Sequence, residues 1–461
     1  MATKKSAVKD LTNGSPVKLI LGFALPLLLG MLFQQFYSMV DTVVVGKFVG
    51  TNALAGVGAT GTISFLIIGF LMGMSTGFTV LTSQRFGAGD MKGMRKTVAS
   101  AAILSLIVSV VMTLVSVIGM HGLLKFLNTP DDIYDAAYSY IIIVCAGIVF
   151  QVLYNLLSSI LRALGNSKTP LYFLILAALL NIVLDLVFII AFHMGTAGAA
   201  YATVISQGIS GFLCLYYIIK KVPVLRMEKE DWHINWHLAK IQMSIGFPMA
   251  FQYSITAIGT MTVQWALNLL GSTAVAAFTA ANKIEQIVTQ AYVALGTAIA
   301  TYAAQNVGAG KVKRIRQGFH AGCMMGCAYA VVTGLIVAFF GKYLTYLFIS
   351  DDVETIIGYV DIYLKCVATF FIPLVWVNLY RNGIQGLGYG LLPMTAGIAE
   401  MVGRTVTAVI ASRVHSYTGT CMASPVAWVL AGILLLFMYS YVMRQQEKRF
   451  AGVSQEEEAG R

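Results

Sequence analysis

The chain alternates long runs of apolar residues with short polar segments, from near its first residue to near its last. Each run has roughly the 20–30 residues that a tilted α-helix needs to cross about 30 Å of hydrocarbon. The pattern therefore predicts an all-α polytopic membrane protein with twelve transmembrane helices. The predicted spans are 16–41, 53–82, 96–120, 133–157, 168–192, 197–219, 240–268, 274–303, 317–340, 355–380, 391–412 and 422–443.

The polar segments between the runs occur twice, about 220 residues apart. The recurring pairs are 50–55 with 271–276, 84–89 with 305–310, and Asp131-Asp132 with Asp351-Asp352. Six spans is an even number, so both halves enter the membrane in the same sense. The sequence thus predicts two six-helix bundles related by a parallel repeat, with a cleft between them.

This repeat sets the predicted domain limits. We expect a cytoplasmic N-terminal tail at 1–15, an N-terminal bundle at 16–219 and a C-terminal bundle at 240–443. A polar linker at 220–239 joins the bundles, and 444–461 form a C-terminal tail. The first ten residues contain no apolar region followed by a small-residue cleavage site, so we expect no cleaved signal peptide and a retained first span.

Composition and charge agree with a membrane protein. Hydrophobic residues make up 58% and charged residues 11%, against about 25% charged in soluble domains. The net charge of +11 comes from lysines and arginines on one side of the predicted membrane; the opposite loops hold only Lys47, Lys125, Lys342 and Arg413. The positive-inside rule then places both termini in the cytoplasm, at the plasma (inner) membrane. This topology accounts for the excess of lysine and arginine, so we expect no nucleic-acid partner.

Ionisable and amide side chains interrupt two of the apolar runs in the first half. Asn181 and Asp185 are four residues apart in the fifth run and share one helix face. Asp41 lies near the end of the first run, with Tyr37 and Gln34 about one and two turns before it. An acid at membrane depth costs roughly 2.5–3.5 kcal/mol on insertion scales, which marks such residues as functional candidates.

The two acids have no equivalents in the second half, where Thr262 and Ala408 occupy the matching positions. Burial and a second nearby carboxylate both favour the protonated acid, so Asp41 and Asp185 could exchange a proton near neutral pH. The same oxygens, with Asn181 and the Thr203 hydroxyl, could instead bind Na⁺. The sequence alone does not decide between a proton and Na⁺ as the ion bound there. We expect no cofactor and no tightly held metal.

The second half has its own intramembrane charges. Glu400 and Arg404 are four residues apart and could form a purely structural pair. Glu285 has only Lys283 nearby, on a different helix face, so we expect Glu285 to face the cleft. Gln34, Gln252, Glu285, Glu400 and Arg404 are the candidate cleft residues.

An enzyme is an alternative of a different class. Residues 131–135 spell Asp-Asp-x-x-Asp, a pattern that binds magnesium diphosphate in prenyltransferases. Acids at a helix start are, however, explained by capping and the helix dipole, and the repeat at Asp351-Asp352 loses the third acid. We therefore expect no enzymatic activity. A channel is disfavoured because a single asymmetric acid cluster suits coupled exchange better than a symmetric pore.

The chain resembles the multidrug and toxic compound extrusion (MATE) family, in its DinF-like prokaryotic branch, over about residues 16–443. The residues that carry the resemblance are Pro26, Asp41, Gln84 to Gly89 with Gln305 to Gly310, Asn181, Asp185 and Thr203. The resemblance implies an antiporter that exports amphipathic organic cations. It implies a coupling cation held by Asp41, Asn181, Asp185 and Thr203, beside Tyr37, and a helix hinge at Pro26. We expect the protein to be a monomer.

The sequence departs from other branches of that family after Pro248. Those branches carry an acid about two turns later, whereas this chain has Gln252 and Thr256. We therefore expect no acid-based cation site there. A flippase of lipid-linked precursors, from the same superfamily, is the alternative function. A flippase would need several cationic residues in the cleft for a diphosphate, and only Lys283, Lys365 and Arg404 are available.

Overall fold

A computed structural model of the chain describes residues 8–127, 129–233, 235–347 and 353–459. These residues form sixteen α-helices and no β-strand. The helices are α1 Pro16–Phe48, α2 Thr51–Ala59, α3 Gly61–Gly87, α4 Met91–Phe126, α5 Asp131–Ala146, α6 Ile148–Ala163, α7 Lys168–Leu186, α8 Gly195–Lys221, α9 Trp236–Asn268, α10 Ser272–Gly308, α11 Val312–Phe340, α12 Val353–Thr369, α13 Phe371–Gly386, α14 Leu391–Arg413, α15 Tyr417–Cys421 and α16 Ala423–Ala459.

Each of the twelve predicted spans coincides with a helix or with two consecutive helices. Among the described residues, nine helices are long and apolar enough to cross a membrane, and two bent helix pairs raise the number to eleven. The remaining predicted span is α9, which is long enough at 33 residues but carries several glutamines and threonines.

The two bends occupy matching places in the two halves. α5 and α6 meet at 51°, and residues Ile356–Thr369 of α12 meet α13 at 52°. Gly89 and Gly310, which follow α3 and α10, also match, with φ angles of 74° and 69°. Glycine is the residue that adopts these positive φ angles without strain. The repeat in the sequence is therefore a repeat in backbone structure.

The chain folds into two compact units. The first unit contains Met1–Asp10 and Leu25–Ala250, and the second contains Leu11–Ala24 and Phe251–Arg461. Two of the three divisions fall inside helices, close to Pro26 in α1 and to Pro248 in α9, and the third, between Asp10 and Leu11, precedes α1. A proline inside a helix removes one backbone hydrogen bond and favours a kink. The limits predicted for the tails and the linker stay a prediction.

Within the first unit, α3 packs on α4 and α6, and α8 packs on α5, α6 and α7. α3 also approaches the first part of α9 very closely. A Cβ added at Gly77 would lie 2.5 Å from Gly246 Cα, and one at Gly73 would lie 2.6 Å from Met249 O. Small residues allow such backbone contact between membrane helices.

Within the second unit, α10 packs against α11, α12 and α13, and α16 packs against α13 and α14. The segment that precedes α1 is held by the end of α10 and the loop after it. Leu11 N donates to Gln305 Oε1 at 2.8 Å, and Lys311 Nζ donates to Thr12 O at 3.0 Å. The second copy of the recurring polar segment therefore has a structural role.

Candidate functional site

The site is built on the buried face of α7. Asn181 and Asp185 are 1% and 0% exposed, while Leu179 and Val183, each two residues from Asn181, are 53% and 56% exposed. This is the result that the four-residue spacing on one helix face predicts. Ala177 continues the face toward the start of the helix. α7 packs against α8, and this packing holds the buried face in place.

The Asp41 carboxyl meets the Asp185 carboxyl inside the first unit. The two carboxyl groups lie within hydrogen-bonding range of each other. A hydrogen bond between two carboxyl groups requires a proton on at least one of them. The remaining oxygens, Asp41 Oδ1 and Asp185 Oδ1, are buried and have no hydrogen-bond partner among the described residues. The pair can thus hold a shared proton and still offer two free acceptors.

Asn181 holds Asp185 in position when its amide nitrogen faces the acid. In that orientation Nδ2 donates to Asp185 Oδ2 at 3.2 Å, and the amide oxygen accepts from the Thr203 backbone N at 3.2 Å. The Thr203 hydroxyl donates to Ala199 O at 3.0 Å, within α8. The structure therefore brings Asn181, Asp185 and Thr203 together, as the sequence predicts.

Two tyrosines lie within electrostatic range of both acids. Tyr37 belongs to the predicted set, whereas Tyr140 on α5 does not. In the sequence, Tyr140 is marked only by its hydroxyl group inside an apolar run. Because the chain has 22 tyrosines, that feature alone does not identify Tyr140 as a site residue. Gln34 lies exposed on α1, two turns before Asp41.

The helix that carries Asp185 changes its geometry directly after the acid. α7 ends at Leu186 and continues as one π-helical turn, Val187–Ala191. π-helical turns inside α-helices occur frequently at functional sites. Apolar residues continue on both sides of this point, so hydropathy could not predict the change.

Two of the remaining candidates form a charged cluster in the second unit. Arg404 Nη2 donates to Glu400 Oε1 at 2.7 Å, so the pair suggested by the sequence spacing forms. Arg381, on α13, donates from Nη2 to Glu400 Oε2 at 2.5 Å. Sequence reasoning missed Arg381 because it reaches Glu400 from another helix. One carboxylate thus lies between two guanidinium groups.

Glu285 has partners from two helices. The Tyr363 hydroxyl donates to Glu285 Oε2, and Asn282 Nδ2 donates to the same oxygen at 3.5 Å. Gln252 Oε1 accepts from Gln385 Nε2 at 2.7 Å. Except for Asn282, these partners are distant in the sequence. The spacing of residues along one helix therefore could not predict them. The assignment of these residues to a substrate cleft stays a prediction.

The acids of the enzyme alternative lie at a helix start. Asp131 and Asp132 form the first turn of α5, which is the position favoured by the helix dipole. Their second-half equivalents, Asp351 and Asp352, lie outside the described residues.

A chain of many apolar helices in two repeated halves, with acids buried at membrane depth, has the architecture of a multi-pass membrane transporter. The MatE family model matches residues 26–187 and again 248–410. These matches cover more than half of the chain, once in each half. The chain therefore belongs to the MatE family; it is a membrane transporter and not an enzyme.

Similarity to individual membrane transporters supports this assignment. The chain is 34% identical to the probable multidrug resistance protein YpnP of Bacillus subtilis, over 81% of this chain and 83% of that one. It is 23% identical to the FAD transporter of Shewanella oneidensis, over 91% and 94% of the two chains. A solved outward-facing MATE family transporter of the MOP superfamily superposes with a TM-score of 0.90 at 22% identity, over 97% and 99%. That likeness shows the shared fold.

Proposed function

We propose that the chain is a multidrug efflux transporter that exchanges protons for amphipathic, mostly cationic organic compounds by alternating access. The observation that carries this proposal is the close approach of the Asp41 and Asp185 carboxyl groups inside the first unit, each with a buried Oδ1 that has no partner among the described residues. The names of relatives such as YpnP and the multidrug export protein MepA of Staphylococcus saprophyticus support the substrate class.

The chemistry of the pair favours a proton as the coupling ion. Two carboxylates in a site of low dielectric repel each other, and one proton both removes a charge and makes their hydrogen bond. With its amide nitrogen toward the acid, Asn181 donates to Asp185 Oδ2 and helps to orient that carboxyl group. Na⁺ is the competing ion, and it would need the two free Oδ1 atoms and the Thr203 hydroxyl as ligands.

The proton and a cationic substrate would compete for the same negative charge. Loss of the proton leaves charge that attracts an organic cation, and protonation removes that attraction. In this proposal helix α1 bends at Pro26 and links the two events, because the proline lacks the hydrogen bond that would hold the helix straight. Tyr37 and Tyr140 would add aromatic contacts for a cation.

We further propose that the protein lies in the plasma membrane with both termini in the cytoplasm. The support is the concentration of lysine and arginine on the side of the tails and of the 220–239 linker. Both termini then share the face where the linker lies.

Dye accumulation in a pump-deficient bacterium tests the proposal. Cells that make the protein should accumulate less of an ethidium-like cation than cells that make the Asp185→Asn variant at the same membrane level. A flavin nucleotide, measured in parallel, tests the substrate named for the Shewanella relative. Equal dye accumulation over a broad panel of cations, with the protein present in the membrane, would contradict multidrug export.

A further inference from the structure

The linker between α8 and α9 is fixed to the start of α4. Arg95 Nε donates to Asp231 Oδ2 at 3.0 Å, and Arg95 Nη2 lies 3.3 Å from Glu228 Oε1. The Glu228 backbone N also donates to Asp231 Oδ2, at 2.9 Å. Asp231 is 1% exposed. These contacts hold the turn Lys229–Trp232 rigidly against the end of a membrane helix.

Beside this turn lies an open pocket with a volume of about 660 Å³. It is lined by Lys96, Glu230, His233, Asn235, Trp236 and His237. Three of these residues are bases. The one acid, Glu230, lies 4.0 Å from Lys92, which offsets its charge. The pocket is therefore suited to an anion.

Two tryptophans mark the level of the pocket relative to the membrane. Trp236 is 73% exposed and Trp232 is 47% exposed. Trp236 is the first residue of α9, and Lys96 lies in the second turn of α4, which begins at Met91. Exposed tryptophan at the end of a membrane helix is typical of the headgroup region of a bilayer. The walls of the pocket are thus placed where phospholipid headgroups lie.

We propose that this pocket binds the phosphate group of an anionic phospholipid. Lys96 supplies a positive charge to the phosphate, and the imidazoles of His233 and His237 supply ring N–H donors. The Asn235 amide oxygen accepts from the backbone N–H groups of His237 and Leu238, at 3.0 and 3.2 Å, which leaves its NH₂ group as a donor. Trp236 packs on the glycerol and upper acyl region.

Basic pockets at the ends of membrane helices are known sites for acidic headgroups. A free phosphate would satisfy the bases equally well but would gain nothing from the tryptophans. A lipid gains from both features, because its acyl chains stay in the bilayer while its phosphate enters the pocket. The combination of bases and exposed tryptophans therefore selects the lipid.

Thermal unfolding of the purified full-length protein in detergent tests this assignment. Added phosphatidylglycerol should raise the melting temperature more than phosphatidylcholine does. The variant with Lys96→Gln, His233→Gln and His237→Gln should lose most of that shift. Lys125→Gln, at the opposite end of the same helix α4, should keep it. A shift of equal size from both lipids, or an undiminished shift in the triple variant, would overturn the proposal.

Two further measurements test whether the bound phosphate belongs to a lipid and do not depend on the triple variant folding correctly. Glycerol 3-phosphate alone should produce little shift; a full shift would assign the pocket to soluble phosphates instead of lipid. Phosphatidylglycerol with brominated acyl chains should quench part of the tryptophan fluorescence. Trp236→Phe should lose that part, whereas Trp428→Phe, a buried position at 5% exposure, should keep it. Unchanged quenching in Trp236→Phe would contradict the proposed site.

Discussion

At the scale of single residues, the buried charged side chains are the positions where a substitution should destabilise this protein most. Glu400 is 5% exposed and is the shared partner of Arg381 and Arg404. Each arginine also has a buried Nε without a hydrogen-bond partner among the described residues. Removing the acid would leave two buried guanidinium groups without their shared counter-charge, which is the costly way to break a buried ion pair.

We expect Glu400→Gln to lower the free energy of unfolding by about 3–5 kcal/mol, the usual cost of leaving a buried charge without its partner. Asp361→Asn is the matched control, because it removes the acid of an i, i+4 pair with Lys365 that is far more exposed. That change should cost roughly 0–1 kcal/mol. Denaturant unfolding in detergent compares the two variants, and equal losses would contradict this account of Glu400.

Asp231 gives the linker a dependence on pH. Burial alone would raise the pKa of this carboxyl, but the Glu228 backbone N–H and the Arg95 guanidinium outweigh burial and hold the pKa below its usual value near 3.8. A carboxyl whose pKa is lower in the folded protein contributes stability above its unfolded pKa and loses it as pH falls through the folded value.

We therefore expect the wild-type melting temperature to fall more steeply than that of Asp231→Asn as the pH drops below about 4, where carboxyl groups begin to bind protons. At pH 7 the variant should be the less stable of the two. Melting curves between pH 7 and pH 3 measure the difference. If the melting temperatures of the two proteins fell in parallel as the pH dropped, the contact between Asp231 and Arg95 would not contribute to the pH dependence of stability.

At the scale of helices, close backbone contact limits which residues the chain tolerates. Gly77 on α3 lies against Gly246 on α9, with no room for a methyl group between them. Gly58 on α2 offers the opposite case, because nothing lies within 4 Å of a Cβ added there.

Gly77→Ala should lower the melting temperature, because backbone atoms must move to admit the Cβ. Gly58→Ala should leave it unchanged or raise it, since alanine favours a helix over glycine by about 0.5–1 kcal/mol. Both variants can be compared by thermal unfolding at matched purity. A loss at Gly58 as large as that at Gly77 would show that helix contact is not the cause.

Apolar patterning predicted the helices well but not their breaks. Hydropathy is the same on both sides of Gly147, where α5 bends into α6, and around the π-helical turn after Asp185. The acids Asp41 and Asp185 could be found because a charge inside an apolar run is conspicuous. Tyr140 and Arg381 could not, because tertiary packing of separate helices brings them to their partners.

At the scale of the whole molecule, the backbone repeats while the buried chemistry does not. The first unit contains an acid pair with an amide beside it, and the second contains one acid between two arginines. The matching bends and glycines show that the two halves share a scaffold. We interpret the difference in buried charge as the basis of the proposed division of roles, with ion coupling assigned to the first unit.

We propose that Asp41 and Asp185 act as one proton site. Two groups that share a proton lose their function together, so removal of either one should have nearly the full effect. Asp41→Asn and Asp185→Asn should each abolish proton-driven efflux, and the double variant should be little worse than either. Asp361→Asn, which lies outside the first unit, should keep near-normal efflux.

Efflux of an organic cation from proteoliposomes under an imposed proton gradient, or under a sodium gradient alone, is the most direct measurement. A shared proton site predicts that the proton gradient drives efflux in the wild type and that the two single variants and the double variant are equally inactive. Efflux driven by sodium alone, or losses in the single variants that multiply in the double variant, would contradict it.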